Sequence, residues 1–270
     1  MAVILSLVSM FVALNLLGES PDAREIVRRS VEQNKKDWAL APQYAFTKRD
    51  VVAHKEKVTS RRTYKVLMID GSPYNQLIAT DGHPLPGSGA AVQQGELTQE
   101  TARRKHEPPE ARRRRIAAYE KDRAREQTLM NEMVNAFDFK LTGQEEINGH
   151  HCYVLQAAPR AGYRPTSNET KVLTGMRGTM WIDTQEYQWV KVQAEVFRPV
   201  PIDLFIADVQ PGTEFLLEKV PVAQGLWLPA HFLTRVRATA LKLWSKNYSR
   251  DETYFDYHRS GVPGDSRSGQ

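Results

Sequence analysis

From Gln43 onward the chain alternates polar and apolar side chains with a period of two. Extended strands put such residues on opposite faces. Tyr44, Phe46 and Lys48 alternate with Ala45, Thr47 and Arg49. Tyr64, Val66 and Met68 oppose Lys65, Leu67 and Ile69, and Val190, Val192, Ala194 and Val196 oppose Lys191, Gln193 and Glu195. Turn chemistry separates the runs. Gly71-Ser72-Pro73 is one turn, Asp81-Gly82 with Pro84 and Pro86 another, and Asn148-Gly149 is a two-residue hairpin signal. Runs at 43–49, 61–70, 74–79, 140–147, 152–157, 179–183, 187–197, 214–220, 230–245 and 253–258 predict a mainly β (α+β) chain. Its roughly ten strands form one large curved antiparallel sheet. No internal repeat of fixed period is present.

Two segments depart from this period. In Ala23–Lys36, Ile26, Val27 and Val31, with Trp38 beyond, form a helical stripe behind the N-cap residue Asp22. That face fits either a core or a lid over a cavity. Ala90–Ala136 is charged and almost free of β-branched residues, and Pro108-Pro109 divides it. The pattern predicts helices over Leu97–Lys105 and Glu110–Phe137. Leu129, Met130, Met133, Val134 and Phe137 give the second an apolar end. Arg112, Arg113, Arg114 and Arg115 give it a basic one. The acids between these cations fit a solvated face laced by i,i+4 pairs, or a dock for anionic lipid headgroups or an acidic partner. Aromatics are not interleaved with the arginines, so nucleic acid is not the expected partner.

Val3–Leu17 is nearly unbroken apolar sequence followed by Gly18, Ser20 and Pro21. It is short for a membrane span and fits a signal peptide, although no Lys or Arg precedes it. The expected organisation is a signal peptide or anchor over 1–20, one domain over 22–258 with a helical insertion at 90–136, and a disordered tail over 259–270. The expected location is the periplasm. The hydrophobic fraction of 41% supplies a sizeable core. Cys152 is the one cysteine; it forms no internal disulfide and reads as a small buried apolar residue.

Three segments in order carry a family likeness. Gly143-Gln144-Glu145-Glu146-Ile147-Asn148-Gly149 with Tyr153-Val154-Leu155 and Pro159 resembles the central hairpin of the LolA-like superfamily. Trp181-Ile182-Asp183 with Val190-Lys191-Val192 resembles its next hairpin, and Trp227-Leu228-Pro229 with Tyr254-Phe255-Asp256-Tyr257 its final strands. The resemblance implies an unclosed β-barrel with helices over an apolar cavity. It also implies a non-catalytic carrier of lipid, acyl chains or lipid-modified protein, as in outer-membrane lipoprotein sorting. The long basic segment departs from the family pattern.

An apolar cavity in a curved sheet would be lined from inside. Trp181, Phe197, Phe205, Phe215, Trp227, Phe232 and Trp244 are the candidate ligand-binding residues, with a closed core as the alternative. Arg112–Arg115 are the candidates for a partner or headgroup. The stretch Val196–Ile206 reads as an edge strand broken by proline or as a cavity lip. Adjacent strand residues His150 and His151 point apart, so no metal site is expected, and no cofactor fingerprint or nucleophile motif occurs. No catalytic residues are assigned. An envelope stress-sensor or interaction module and an envelope hydrolase, with Asp183 and Glu195 as separated carboxylates, stand as alternatives.

Overall fold

The computed structural model describes residues 21–202, 207–240 and 244–260. The apolar run at 3–17, Phe205 and the tail beyond 260 lie outside the described residues. The chain opens with α1 (Ala23–Leu40). A meander follows: β1 (Tyr44–His54), β2 (Lys57–Ile69), β3 (Ser72–Thr80) and the short β4 (His83–Pro84). Two helices come next, α2 (Gly87–Lys105) and α3 (Pro109–Ala136). The remainder is β5 (Phe137–Ile147), β6 (His150–Pro159), β7 (Met176–Asp183), β8 (Trp189–Val196), β9 (Val200–Ile202), β10 (Ala207–Val209), β11 (Glu214–Ala223), β12 (Leu226–Ala240) and β13 (Trp244–Arg259).

All strands join one 13-stranded antiparallel sheet, ordered β4-β3-β2-β1-β13-β12-β11-β8-β7-β6-β5, with β9 and β10 attached to β12. No described pairing joins β4 to β5, so the sheet is an open, curved half-barrel. Hairpin turns set the register. Asn148 (φ 53°) and Gly149 (φ 80°) both take the left-handed conformation a two-residue turn needs. Lys55 (φ 47°) and Glu56 (φ 66°) do the same without a glycine.

Several boundaries differ from the sequence reading. The expected strand at 230–245 is two elements, because the chain reverses between Ala240 and Trp244, which pair with each other. Pro229 lies inside β12, at a bulge opposite Lys219, where its missing N–H is tolerated. The stretch after Val196 yields β9, a short strand containing Pro201. α2 begins at Gly87 rather than near Leu97. The loop at 161–175 ends in a 3-10 helix, Glu169–Gly175.

α1 lies across the strands. Asp22 caps it by accepting from the Arg24 amide at 3.2 Å. Its stripe of Ile26, Val27 and Val31 is buried against Leu155, Met180, Ile182 and Trp189, with Met130, Met133, Phe139 and Leu141 around them. Farther along, Asp37 reaches β11 and β12. Its Oδ2 accepts from Lys219 Nζ at 2.6 Å, and its Oδ1 from Gln188 Nε2 and the Trp227 amide, each at 3.2 Å. Lys219 also donates to Asn34 Oδ1 at 2.9 Å. The added hydrogen bonds from Gln188, Asn34 and the Trp227 amide offset part of the desolvation that burying this ion pair costs. The helix is therefore packed on the core.

α2 and α3 strap the gap between the two sheet edges. At one end they grip the β2–β3 turn. Arg104 is 6% exposed and donates to the carbonyls of Ile69 (2.9 Å) and Ser72 (2.8 Å) while pairing with Glu100 at 2.6 Å. Arg115 donates to Ser72 Oγ at 2.5 Å and to the Asp70 carbonyl at 3.1 Å, and pairs with Glu107. Midway, the Arg123 guanidinium sits 3.8 Å over the Trp38 ring of α1. At the other end Leu129, Met133 and Phe139 pack against Ala136, Phe137, Ala157 and Leu173.

Candidate functional site

Strand register assigns each side chain to a face. Leu141, Leu155, Met180, Val192 and Leu217 stand opposite one another from β5 to β11, on the face that carries α1. The same face continues through Phe232, Glu252, Asp50, Arg62 and Thr80 to the far edge. This inner face has two unlike halves. α1 and α3 fill the half formed by β5–β8 and β11. None of the described helices makes more than marginal contact with β1, β2 or β13.

On the other, less covered half, which α1 touches at β12 and which α2 and α3 touch at β3, Phe46, Val52, Tyr64, Leu77, Phe232 and Val236 are only half-buried. Large apolar side chains left this way in a sheet interior have no protein partner for part of their surface. A strip of paired charges crosses them. Lys48 Nζ donates to Glu252 at 3.0 Å, and the Tyr254 hydroxyl to the same carboxylate at 3.1 Å. Arg250 makes a two-pronged bond with Asp50 at 3.0 and 2.7 Å, which raises the guanidinium pKa. An apolar surface with a few fixed polar groups can orient an amphipathic molecule.

The predicted site residues do not converge. Phe232 lies on the less covered inner half, opposite Leu217 and Glu252. Phe215 shares its face but packs half-buried beside Val196, Val200 and Val209. Trp181 sits between Met180 and Ile182, so it points to the outer face. There its Nε1 donates to Glu145 at 2.8 Å and Lys191 Nζ lies 5.3 Å from its ring. Trp227 is 2% exposed and packed with Cys152 and Val190, its Nε1 donating to Glu186 at 2.8 Å. Phe197 is exposed between Arg177 and Arg198, each 5.5 Å from its ring. Phe205 lies outside the described residues, as does the Trp244 side chain.

The arginine run is divided too. Arg115 is spent on the β2–β3 turn, Arg113 pairs with Glu110, Arg112 lies 3.8 Å from Asp70, and Arg114 is exposed. His150 and His151 lie nearest to different acids, Asp183 at 3.6 Å and Glu146 at 3.9 Å. Asp183 spends Oδ1 on the Gln185 and Glu186 amides, while Glu195 pairs with Arg177 at 2.7 Å on the outer face. Sequence reasoning named Phe232 but missed its inner-face companions Phe46, Val52, Tyr64, Leu77 and Val236. Their signal was present in the alternation of Phe46 and Tyr64 with polar neighbours, but only register shows that these residues face Phe232.

The outer face carries a groove of about 720 Å³ with Lys140, Gln156, Thr179 and Gln193 among its polar walls, over the backbone of Ala157, Gly178 and Ala194, whose faces turn inward. It runs from β5 to β11. No helix of the described residues is long and apolar enough to cross a membrane.

No protein-family model matches the chain, and no curated protein does. The chain is similar to several solved structures. One is a domain assigned to outer membrane lipoprotein sorting from Vibrio parahaemolyticus, with 11% identity over 90% of this chain and 95% of that one and a TM-score of 0.37. Another is a complex of MucA with MucB from Pseudomonas aeruginosa, with 9% identity over 90% of this chain and 100% of that one and a TM-score of 0.26. A LolA superfamily protein from Nitrosomonas europaea, with 11% identity over 90% of this chain and 96% of that one and a TM-score of 0.33, belongs to the superfamily that the hairpin motifs resemble.

Proposed function

We propose that the chain is an exported, non-catalytic periplasmic binding protein that holds an acyl chain, free or carried by a lipid-modified protein, on the less covered half of its inner face. The observation that carries this reading is the set Phe46, Val52, Tyr64, Leu77, Phe232 and Val236, half-buried on the inner face of a curved sheet beyond the apolar cluster that α1 covers. Each fully buried methylene contributes about 0.8 kcal/mol, so burial of the acyl chain supplies affinity without any titrating group. The Lys48–Glu252 and Arg250–Asp50 pairs lie beside that surface and offer a polar end for a headgroup.

Binding of a dansyl-labelled fatty acid to the purified full chain tests the reading. Phe232→Asp is expected to weaken binding at least tenfold. Trp181→Ala, on the outer face, should leave it unchanged. Wild-type affinity in a folded Phe232→Asp variant would refute the site. Native mass spectrometry of protein taken from its own host should show a lipid mass bound to the wild type.

A further inference from the structure

The two edges of the sheet are treated differently. An unpaired edge presents a row of backbone donors and acceptors that can template another strand. The β3 edge is closed along most of its length. Pro73 has no N–H, the Leu77 amide donates to Gln93 Oε1 at 3.0 Å, and the Ile78 carbonyl accepts from Leu85 at 3.0 Å. Ala79 and Thr80 pair with β4.

The β5 edge lacks such cover. The two-residue turn at Asn148-Gly149 makes Ile147 and His150 a bonded pair, so the antiparallel alternation turns the backbone of Glu146 and Gln144 outward. A bulge between Leu141 and Gly143 shifts the phase. The Arg160 amide bonds the Ala136 carbonyl at 2.8 Å, which fixes the phase beyond the bulge and turns Leu141 and Phe139 outward. Arg160 caps the Phe137 carbonyl at 2.7 Å. Among the described residues nothing bonds the outward N–H and C=O groups of Phe139, Leu141, Gln144 and Glu146.

We infer that β5 accepts an extended segment of a partner polypeptide as an added antiparallel strand. Main-chain bonds supply the affinity, and side chains set the sequence. At the α3 end, Phe139 and Leu141 beside Met130 and Met133 are half-buried and call for apolar residues at alternate positions. At the hairpin end Glu145 and Glu146 are exposed and call for Lys or Arg. Antiparallel pairing places those basic residues at the N-terminal end of the segment. The site is separate from the acyl-chain surface and stands on different strands.

The test uses the full chain and a fluorescein-labelled ten-residue peptide of alternating Val and Thr with two Lys at its N-terminus. Binding is read by fluorescence polarisation, and hydrogen exchange reads the β5 amides. Expected results are saturable binding, slowed exchange at Phe139, Leu141, Gln144 and Glu146, and at least tenfold weaker binding when alternate peptide nitrogens are methylated. Methylation removes donors and leaves side chains intact. Gln144→Pro removes an outward N–H without touching the bonds to β6, and should weaken binding similarly while fatty-acid binding persists. Equal affinity for the methylated peptide, or unchanged β5 exchange, overturns the inference. So does self-association of the chain that Gln144→Pro abolishes while the peptide fails to bind, since the edge would then serve a second copy.

Discussion

Replacing Asp37 by Ala is expected to cost about 3–5 kcal/mol, because it strands the Lys219 ammonium in the interior. The side chains of this pair are 4% and 5% exposed and 2.6 Å apart. The loss also leaves the Gln188 amide and the Trp227 N–H without their shared acceptor. Against a typical domain stability of about 5–15 kcal/mol, that is a large fraction. Lys219→Met should cost less, about 2–4 kcal/mol, since Asp37 keeps those two donors. Replacing both, as Asp37→Ala with Lys219→Met, removes the buried charges, while the Gln188 and Trp227 donors still lose their acceptor. The double variant should then be more stable than the sum of the single losses predicts by about 2 kcal/mol or more. Urea unfolding followed by tryptophan fluorescence measures all four proteins. Additivity within about 0.5 kcal/mol would refute the idea that this pair pins α1. The pH dependence gives a second reading. Burial lowers the Lys219 pKa below its ordinary 10.5 despite the pull of Asp37. The unfolded chain therefore holds more protons just below that value, and stability rises with pH as it approaches 10.5. Lys219→Met removes this contribution.

Arg104→Met should loosen α2 by about 3 kcal/mol, because the Ile69 and Ser72 carbonyls lose a charged donor. Faster amide exchange across α2 is the readout, and unchanged exchange would count against the clamp. Hydrogen bonds from Arg103 and Arg104 hold the Glu100 carboxyl down to about 2. Its stabilising contribution is complete above the unfolded value near 4.5 and lost as pH falls toward 2. Glu100→Gln should thus flatten the acid limb of the stability profile, and an unaltered limb would contradict the assignment. Burial, reinforced by the Asp183 and Glu145 charges, pushes the Cys152 thiol up to about 11. The native protein should resist a disulfide-exchange reagent at pH 8 and react only on unfolding; rapid stoichiometric labelling would show the thiol to be accessible.

Most reversals were readable in the sequence, including the glycine-free one at Lys55-Glu56, but the one after Ala240 was not. Asn148-Gly149 and Asp81-Gly82 mark real reversals. The reversal between Ala240 and Trp244 carries Leu-Lys-Leu, which has no turn residue and reads as continuous strand. α2 escaped detection at its start because Gly87, Gly89 and Gly95 depress helix propensity and no side chain caps it. Trp181 was assigned to the interior because Met180 and Ile182 beside it are also apolar, so alternation gave no face. Arg104 looked like one more solvated cation. Its burial depends on a turn more than thirty residues away that composition does not reveal. The Asp37–Lys219 contact, 182 positions apart, is likewise a product of tertiary folding alone.

The strap has a mechanical consequence. α2 and α3 are stiff rods of 19 and 28 residues, about 28 and 42 Å long, hinged at Pro108-Pro109. Such a linkage could spread or narrow the mouth of the half-barrel by changing one elbow angle. Arg104 on the first rod and Arg115 on the second grasp the same turn, however, so the elbow is bolted to the sheet on both sides. The far end of the second rod runs straight into β5, where Arg160 donates to the Val134 and Phe137 carbonyls and the Tyr163 hydroxyl to Glu132, so this rod is anchored at both ends and cannot slide as a lever.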